Sequence, residues 1–318
     1  MEFTQLRPKH IQEAAEIFTK SFKRQREATP VLPERMEDVL LISGAIDKRL
    51  QSTSGVAAIE NERLVGYLTW FILDDFRGSP RKAAYVPVWA CGAVEERKRE
   101  ILRGLYRYAS GLWTQEGCQT HAVTILAYDE TAAYAWFWNG FGLAVVDAIR
   151  GMDEIPLEKP TGFIIRKATE NDIAELVLIE REHWHHYEKP PVLMFANTGR
   201  NSAEFSEFLS QEVNSIWIAA SGSELTSYMV FESSSEGATP VVGSETTIAI
   251  TGAFTKPEFR GKGAAPALLN ASLQEYRQKG YTRCSVDFES FNPEAAGFWT
   301  KYFQPVCYSV MRNPEKLI

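Results

Sequence analysis

Apolar and polar positions follow two periods along this chain, and each pattern occurs twice. IQEAAEIF (11–18) carries apolar residues every three or four positions, and NDIAELVLIE (171–180) repeats that spacing, which predicts an amphipathic helix in each half. VAAIENERLVGYLTWFI (56–72) and IWIAASGSELTSYMVF (216–231) hold two apolar runs around polar turn residues, the pattern of a hairpin. Next come a predicted strand (85–90 or 247–254), a helix, a strand (122–127 or 284–288), a helix and a last strand. The first of these helices places Leu102, Leu105, Tyr106, Ala109 and Leu112 on one face. Its counterpart places Ala265, Leu268, Leu269, Ser272 and Tyr276 there. Strand–helix–strand order implies a right-handed crossover, hence a parallel strand pair at the centre of each sheet.

The recurrence extends to the residues themselves. Asp129, Ala132, Ala133 and Trp136 align with Asn292, Ala295, Ala296 and Trp299 at a constant offset of 163, which also relates Arg97 to Arg260 and Gly117 to Gly280. Leu64 and Tyr67 match Leu225 and Tyr228 at 161. A unit of about 155 residues is therefore written twice. The expected organisation is a domain over 1–152, a linker over 153–162 with two prolines and alternating charge, and a domain over 163–318.

A chain of 318 residues that is 45% hydrophobic and 24% charged fits two globular domains, and excludes disordered, collagenous and disulfide-stapled classes. A net charge of -7 opposes nucleic acid and anionic membrane as partners. The four cysteines form no C-x-x-C pair, and no apolar run is long enough to span a bilayer. A cytoplasmic location without a metal site is the expectation, with oligomeric state open.

The segment with most chemistry is AITGAFTKPEFRGKGAAPALLNASLQEYRQKG (249–280). A strand is expected to end near Phe254, a turn to hold Arg260, Gly261, Lys262, Gly263, Ala264 and Ala265, and a helix to begin near Pro266. N–H groups at a helix start lack intrahelical partners and carry the positive end of the dipole. Small residues admit a phosphate to the backbone, and Arg260 and Lys262 add charge, so the turn suits a pyrophosphate. It matches neither a P-loop nor a complete G-x-G-x-x-G.

Arg260, Gly263 and Ala265 fit the Q/R-x-x-G-x-G/A motif of the GNAT superfamily of acyl-CoA-dependent N-acetyltransferases. Asn292, Ala295 and Phe298 fit its N-x-x-A-x-x-F/L-Y motif, with Trp299 at the tyrosine. The sequence resembles this family over roughly 163–312 and more weakly over 3–150. The resemblance implies an α+β fold of two tandem GNAT-like domains, each a mixed sheet flanked by helices with a splayed central parallel pair. It implies acetyl-CoA as cosubstrate, its pantetheine arm against the main chain of Phe254 and Thr255. The loop amides would hold the pyrophosphate, less the one that Pro266 lacks, and Asn292 would touch the arm. The implied activity is acetyl transfer to a primary amine of a small molecule or peptide, by direct attack in a ternary complex. The alternative is a non-catalytic acyl-CoA-binding protein of the same fold.

An amine of pKa about 10.4 is neutral to roughly one part in a thousand at pH 7, so the reaction wants a base, plus an acid for the leaving thiolate. Glu245 and Asp287, near the ends of central strands, are the candidate bases, with Glu289 beside the latter. An indole cannot protonate a thiolate, so Tyr302 and Tyr308 are the candidate acids in place of Trp299. His183, His185 and His186 lack metal-site spacing and are expected at a solvated helix end; the alternative, since the resemblance implies that this region faces the substrate, is an imidazole that gates acceptor binding. In the first unit the motif positions fall on Arg97, Lys98, Arg99, Glu100, Ile101 and Leu102, without a glycine, so no acyl-CoA site is expected there. Trp136, Phe137 and Trp138 are expected as core or packing residues.

Overall fold

The computed structural model describes residues 1–157 and 162–315, so part of the expected linker lies outside the described residues. The chain forms two compact units. Unit 1 comprises Met1–Asp147, Thr239–Val241 and the C-terminal strand; unit 2 comprises Ala148–Ala238 and Val242–Phe303. No helix among the described residues is long and apolar enough to cross a membrane.

Unit 1 begins with β1 (Glu2–Gln5), α1 (Ile11–Ala28), α2 (Val39–Leu50) and the hairpin β2 (Gly55–Glu60)–β3 (Arg63–Thr69). β4 (Phe71–Leu73), β5 (Ala83–Val86), β6 (Cys91–Ala93), α3 (Lys98–Gln115), β7 (Thr120–Leu126), α4 (Glu130–Phe137) and β8 (Gly142–Gly151) follow, β8 running into unit 2. The strand expected over 85–90 is broken. Pro87 has no N–H for a ladder, so β5 pairs in parallel with β7 while β6 pairs with β3. The expected helix face is real: Leu102, Leu105, Tyr106 and Ala109 are buried with Trp113, Trp136 and Phe141. Only Trp136 of the aromatic triplet is core. Phe137 and Trp138 are 67% and 58% exposed, because they fall on the other face of α4 and just past its end.

Unit 2 contains β9 (Ile164–Lys167), α5 (Ile173–Glu188), α6 (Ser202–Ser210), β10 (Ser215–Ser221), β11 (Glu224–Glu232), β12 (Thr247–Thr255), α7 (Ala264–Gln278), β13 (Arg283–Glu289) and α8 (Pro293–Tyr302). β14 (Gln304–Arg312) pairs antiparallel with β7, which places it in unit 1 although the sequence boundary grouped it with the second domain. Strand order in unit 2 is β13-β12-β11-β10-β9, with β12 and β13 parallel and the other pairs antiparallel. Alternation of side chains gives the sheet two faces. On one, Leu176 and Ile179 of α5 and Phe205 of α6 pack against Ile216, Ile218, Tyr228, Val230 and Phe254. On the other lies α7, whose Tyr276 hydroxyl hydrogen-bonds Ser215 at 2.7 Å and whose ring sits 5.2 Å from Phe231.

One irregularity positions the site. The β12–β13 ladder runs only from Thr247↔Arg283 to Ile250↔Val286, although the strands continue to Thr255 and Glu289. A register shift between Val230 and Phe231 of β11 falls at the same level, and such bulges increase local twist. Past Ile250 the two strands part.

Candidate functional site

A cavity of about 940 Å³ occupies that gap, lined entirely by unit 2. Its walls include His183 and Tyr228 from the α5 face and Met229 and Leu268 from the α7 face, so it passes through the sheet where the ladder stops. Such a volume suits a ligand of cofactor size.

The start of α7 forms one wall. Gly263 precedes the helix at φ +88°, Gly261 lies at φ +71°, and no side chain caps the helix. Left-handed backbone at both positions favours glycine. Before the turn, the Arg260 N–H donates to the Pro257 carbonyl; after it, the Ala267 N–H donates to Gly263 at 3.2 Å. Among the described residues nothing accepts from the amides of Gly261, Lys262, Gly263, Ala264 and Ala265. The helix begins at Ala264, two residues earlier than expected, with Pro266 in its first turn, where a missing N–H costs little. Five donors on small or exposed residues, at the positive end of a 15-residue helix, fit a diphosphate. Arg260 is engaged elsewhere: Nη1 donates to Glu294 at 3.0 Å and Nε to the Thr255 carbonyl at 3.1 Å, tying the loop to α8. Lys262 is exposed.

The free edge of β12 has a definite phase. The Lys256 N–H donates to Thr226 of β11 at 2.9 Å, and strand polar groups alternate in direction. Phe254 therefore turns its main chain to β11, while Ala253 and Thr255 face the gap. Asn292 is buried at the start of α8, where its Oδ1 accepts from the Ala295 N–H at 3.2 Å.

The candidate catalytic residues separate. Asp287 lines the cavity and accepts from Ser235 Oγ at 2.9 Å. Tyr302 also lines it, its ring 5.0 Å from that of Phe298, beside the buried Trp299. Glu245 does not line the cavity: it is exposed before the first residue of β12, about 20 Å along the strand from where the gap opens. Tyr308 does not belong either, because β14 places it in unit 1, packed against that unit's core.

The expectation of solvated histidines is corrected for two of the three. His183 is buried in the cavity wall, with Nδ1 2.8 Å from the Tyr228 hydroxyl and its ring 5.1 Å from Phe254; burial drives its pKa down to about 3. His186 also lines the cavity, its pKa lowered by burial and then by Arg260. His185 is exposed. Glu180, Trp184 and Tyr187 complete this wall. Glu180 is buried and accepts from the Arg200 main chain and guanidinium, both at 2.9 Å; burial raises its pKa against that pairing. A visible signal existed, since His183 continues the i, i+3, i+7 stripe of Leu176 and Ile179.

Unit 1 has closed its equivalent position. Lys98 Nζ, almost wholly buried, pairs with Asp129 at 2.6 Å and Glu95 at 2.8 Å, and the neighbouring cavity is only about 40 Å³. Among the described residues no group of three or more metal-ligating side chains gathers.

Residues 175–303 match the model of the acetyltransferase (GNAT) family. No curated protein matches the sequence. The structure is similar to that of a GCN5-related N-acetyltransferase from Sphaerobacter thermophilus, at 13% identity and a TM-score of 0.58, covering 100% of this chain and 97% of that one. It is also similar to the GCN5-related glucosamine N-acetyltransferase region of a fungal multi-domain GH3 β-N-acetylglucosaminidase, at 11% identity and a TM-score of 0.54. That match covers 98% of this chain but only 38% of the fungal one. A tandem GNAT protein from the clavulanic acid biosynthesis pathway aligns at 14% identity and a TM-score of 0.49, covering 99% of both chains. At these identities the likeness is one of fold. Residues 175–303, the stretch that matches the model of the acetyltransferase (GNAT) family, build nearly all of the cavity.

Proposed function

We propose that unit 2 transfers an acetyl group from acetyl-CoA to a primary amine of a small molecule or peptide, in a ternary complex. The observation that carries this reading is the run of five uncapped amides beside the gap between β12 and β13. Gly261, Lys262, Gly263, Ala264 and Ala265 would hold the pyrophosphate, and the main chain of Ala253 and Thr255 would pair with the pantetheine arm. Asn292 would act through the fixed start of α8 as well as by contact. Acetyl-CoA supplies the activated thioester. The attacking nitrogen forms a C–N bond to the acyl carbon, the C–S bond breaks, the ammonium has given up a proton and the thiolate takes one. Asp287 is assigned as the base and Tyr302 as the acid, being the sequence candidates that line the cavity. No cysteine among the described residues lines it, which favours direct attack over an acyl-enzyme.

Isothermal titration with CoA is expected to give binding that Gly263→Glu abolishes, because the new side chain and charge occupy the amide cradle. Asp287→Asn and Tyr302→Phe are each expected to lower kcat by about 10²–10⁴-fold with CoA affinity unchanged. The presence of Trp299 at the family's tyrosine position favours a second reading, a protein that binds acyl-CoA without transferring it. CoA binding with no acetylated product from any amine would establish that reading.

A further inference from the structure

We infer that the α5 side of the cavity takes an amine borne on a flat aromatic body; this rests on the acetyl-transfer reading above. The amide cradle belongs to α7, on one face of the sheet, and the acceptor must reach the gap from the other. What it meets there is a wall of rings. His183 lies 4.9 Å from Tyr187 and 6.0 Å from Trp184, Trp184 lies 5.5 Å from Tyr187, and His186 lies 6.1 Å from Tyr187. All four line the cavity. These rings pack against one another, and the cavity side of such a cluster stacks against a further ring and attracts a cation held over it.

The charges lining the cavity are of both signs: Glu180, Asp287 and Glu294 against Arg260, Lys262 and Lys301. The Tyr187 hydroxyl, in the same wall as Glu180, has its pKa raised by burial and then by Glu289 and Asp287. Arg200, the cation of this wall, is shared between Glu180 at 2.9 Å and Glu232 at 3.7 Å. Arg260 is paired with Glu294. The wall is also held in place. The Met194 N–H donates to the Tyr187 carbonyl at 2.8 Å, and Gly199 lies so close to Trp184 that an added Cβ would come within 2.9 Å of its ring. Fixed rings select a flat body; a flexible polar amine would leave them uncovered.

The test is steady-state thiol release at saturating acetyl-CoA, with 2-phenylethylamine and tryptamine compared against n-butylamine, putrescine and kanamycin. The arylalkylamines are expected to have kcat/KM at least about 10-fold higher, the scale of discrimination an apolar pocket supplies. Trp184→Leu is expected to raise KM for 2-phenylethylamine at least about fivefold with CoA affinity unchanged, and Trp184→Phe to restore it. CoA titration serves as the folding control for both variants. Loss of CoA binding in the wild-type protein removes the acetyl-transfer reading and this inference with it. CoA binding with no turnover of any amine does the same, whereas CoA binding with equal or faster turnover of the aliphatic or polyhydroxylated amines overturns this inference alone.

Discussion

His183 keeps Nδ1 2.8 Å from the Tyr228 hydroxyl, and its removal from water lowers its pKa to about 3, so the folded protein holds the ring neutral near neutral pH. The ordinary value is about 6.5, so the unfolded chain binds the extra proton first. The stability this group contributes is therefore full above pH ~6.5 and is lost as pH falls toward 3, by at most about 1.4 kcal/mol per pH unit. His183→Asn is expected to flatten the fall of Tm over that window in a calorimetric pH series. Part of the slope will remain, because His121 in unit 1 has its pKa lowered to about 4 and acts with the same sign. An unchanged slope would mean that His183 is not buried as described. Gly199, at φ +67° against Trp184, gives a second prediction. Gly199→Ala should destabilise by about 1–3 kcal/mol in denaturant titration, since both backbone and ring must shift. The histidine stripe was legible as helical spacing. Its meaning was not, because spacing shows which face a residue shares but not whether a cavity opens there.

At the scale of elements, the sequence pattern located both hairpins, the helices α1, α3, α5 and α7 and the parallel pairs, because their apolar periods are long and regular. It missed α2, α6 and the break between β5 and β6. Pro87 was visible, but the apolar letters on either side read as one strand, and only pairing with two different partners divides them. The loop before α7 was legible because glycine is needed for its backbone, whereas the ion pair of its arginine with Glu294 of α8 was not. Its counterpart before α3 carries the clearest prediction at this scale. Lys98 is held by Asp129 and Glu95, so Lys98→Met leaves Asp129 largely buried without its cation. A loss of about 3–5 kcal/mol in unfolding free energy is expected. CoA affinity should not change. A gain of CoA binding in that variant would show that the ion pair conceals a second site.

For the whole molecule, the repeat fixed the number of units but not the allocation of their strands. β14 follows α8 directly in the chain yet pairs with β7 over six residues, a long-range choice that no local signal records. Tyr308 was drawn into the candidate site by that omission, and Glu245 by the assumption that either end of a central strand lies near the chemistry. One open loop, one closed counterpart and one large cavity predict a single CoA per 318-residue chain. Equilibrium titration should give a stoichiometry of one, and two would contradict the closure of unit 1. The most direct measurement is amide hydrogen exchange at Gly261, Lys262, Gly263, Ala264 and Ala265, followed by NMR with and without CoA. These five amides should exchange fast in the free protein and become protected when CoA is added. Protection already present without CoA, or none gained with it, would contradict the account.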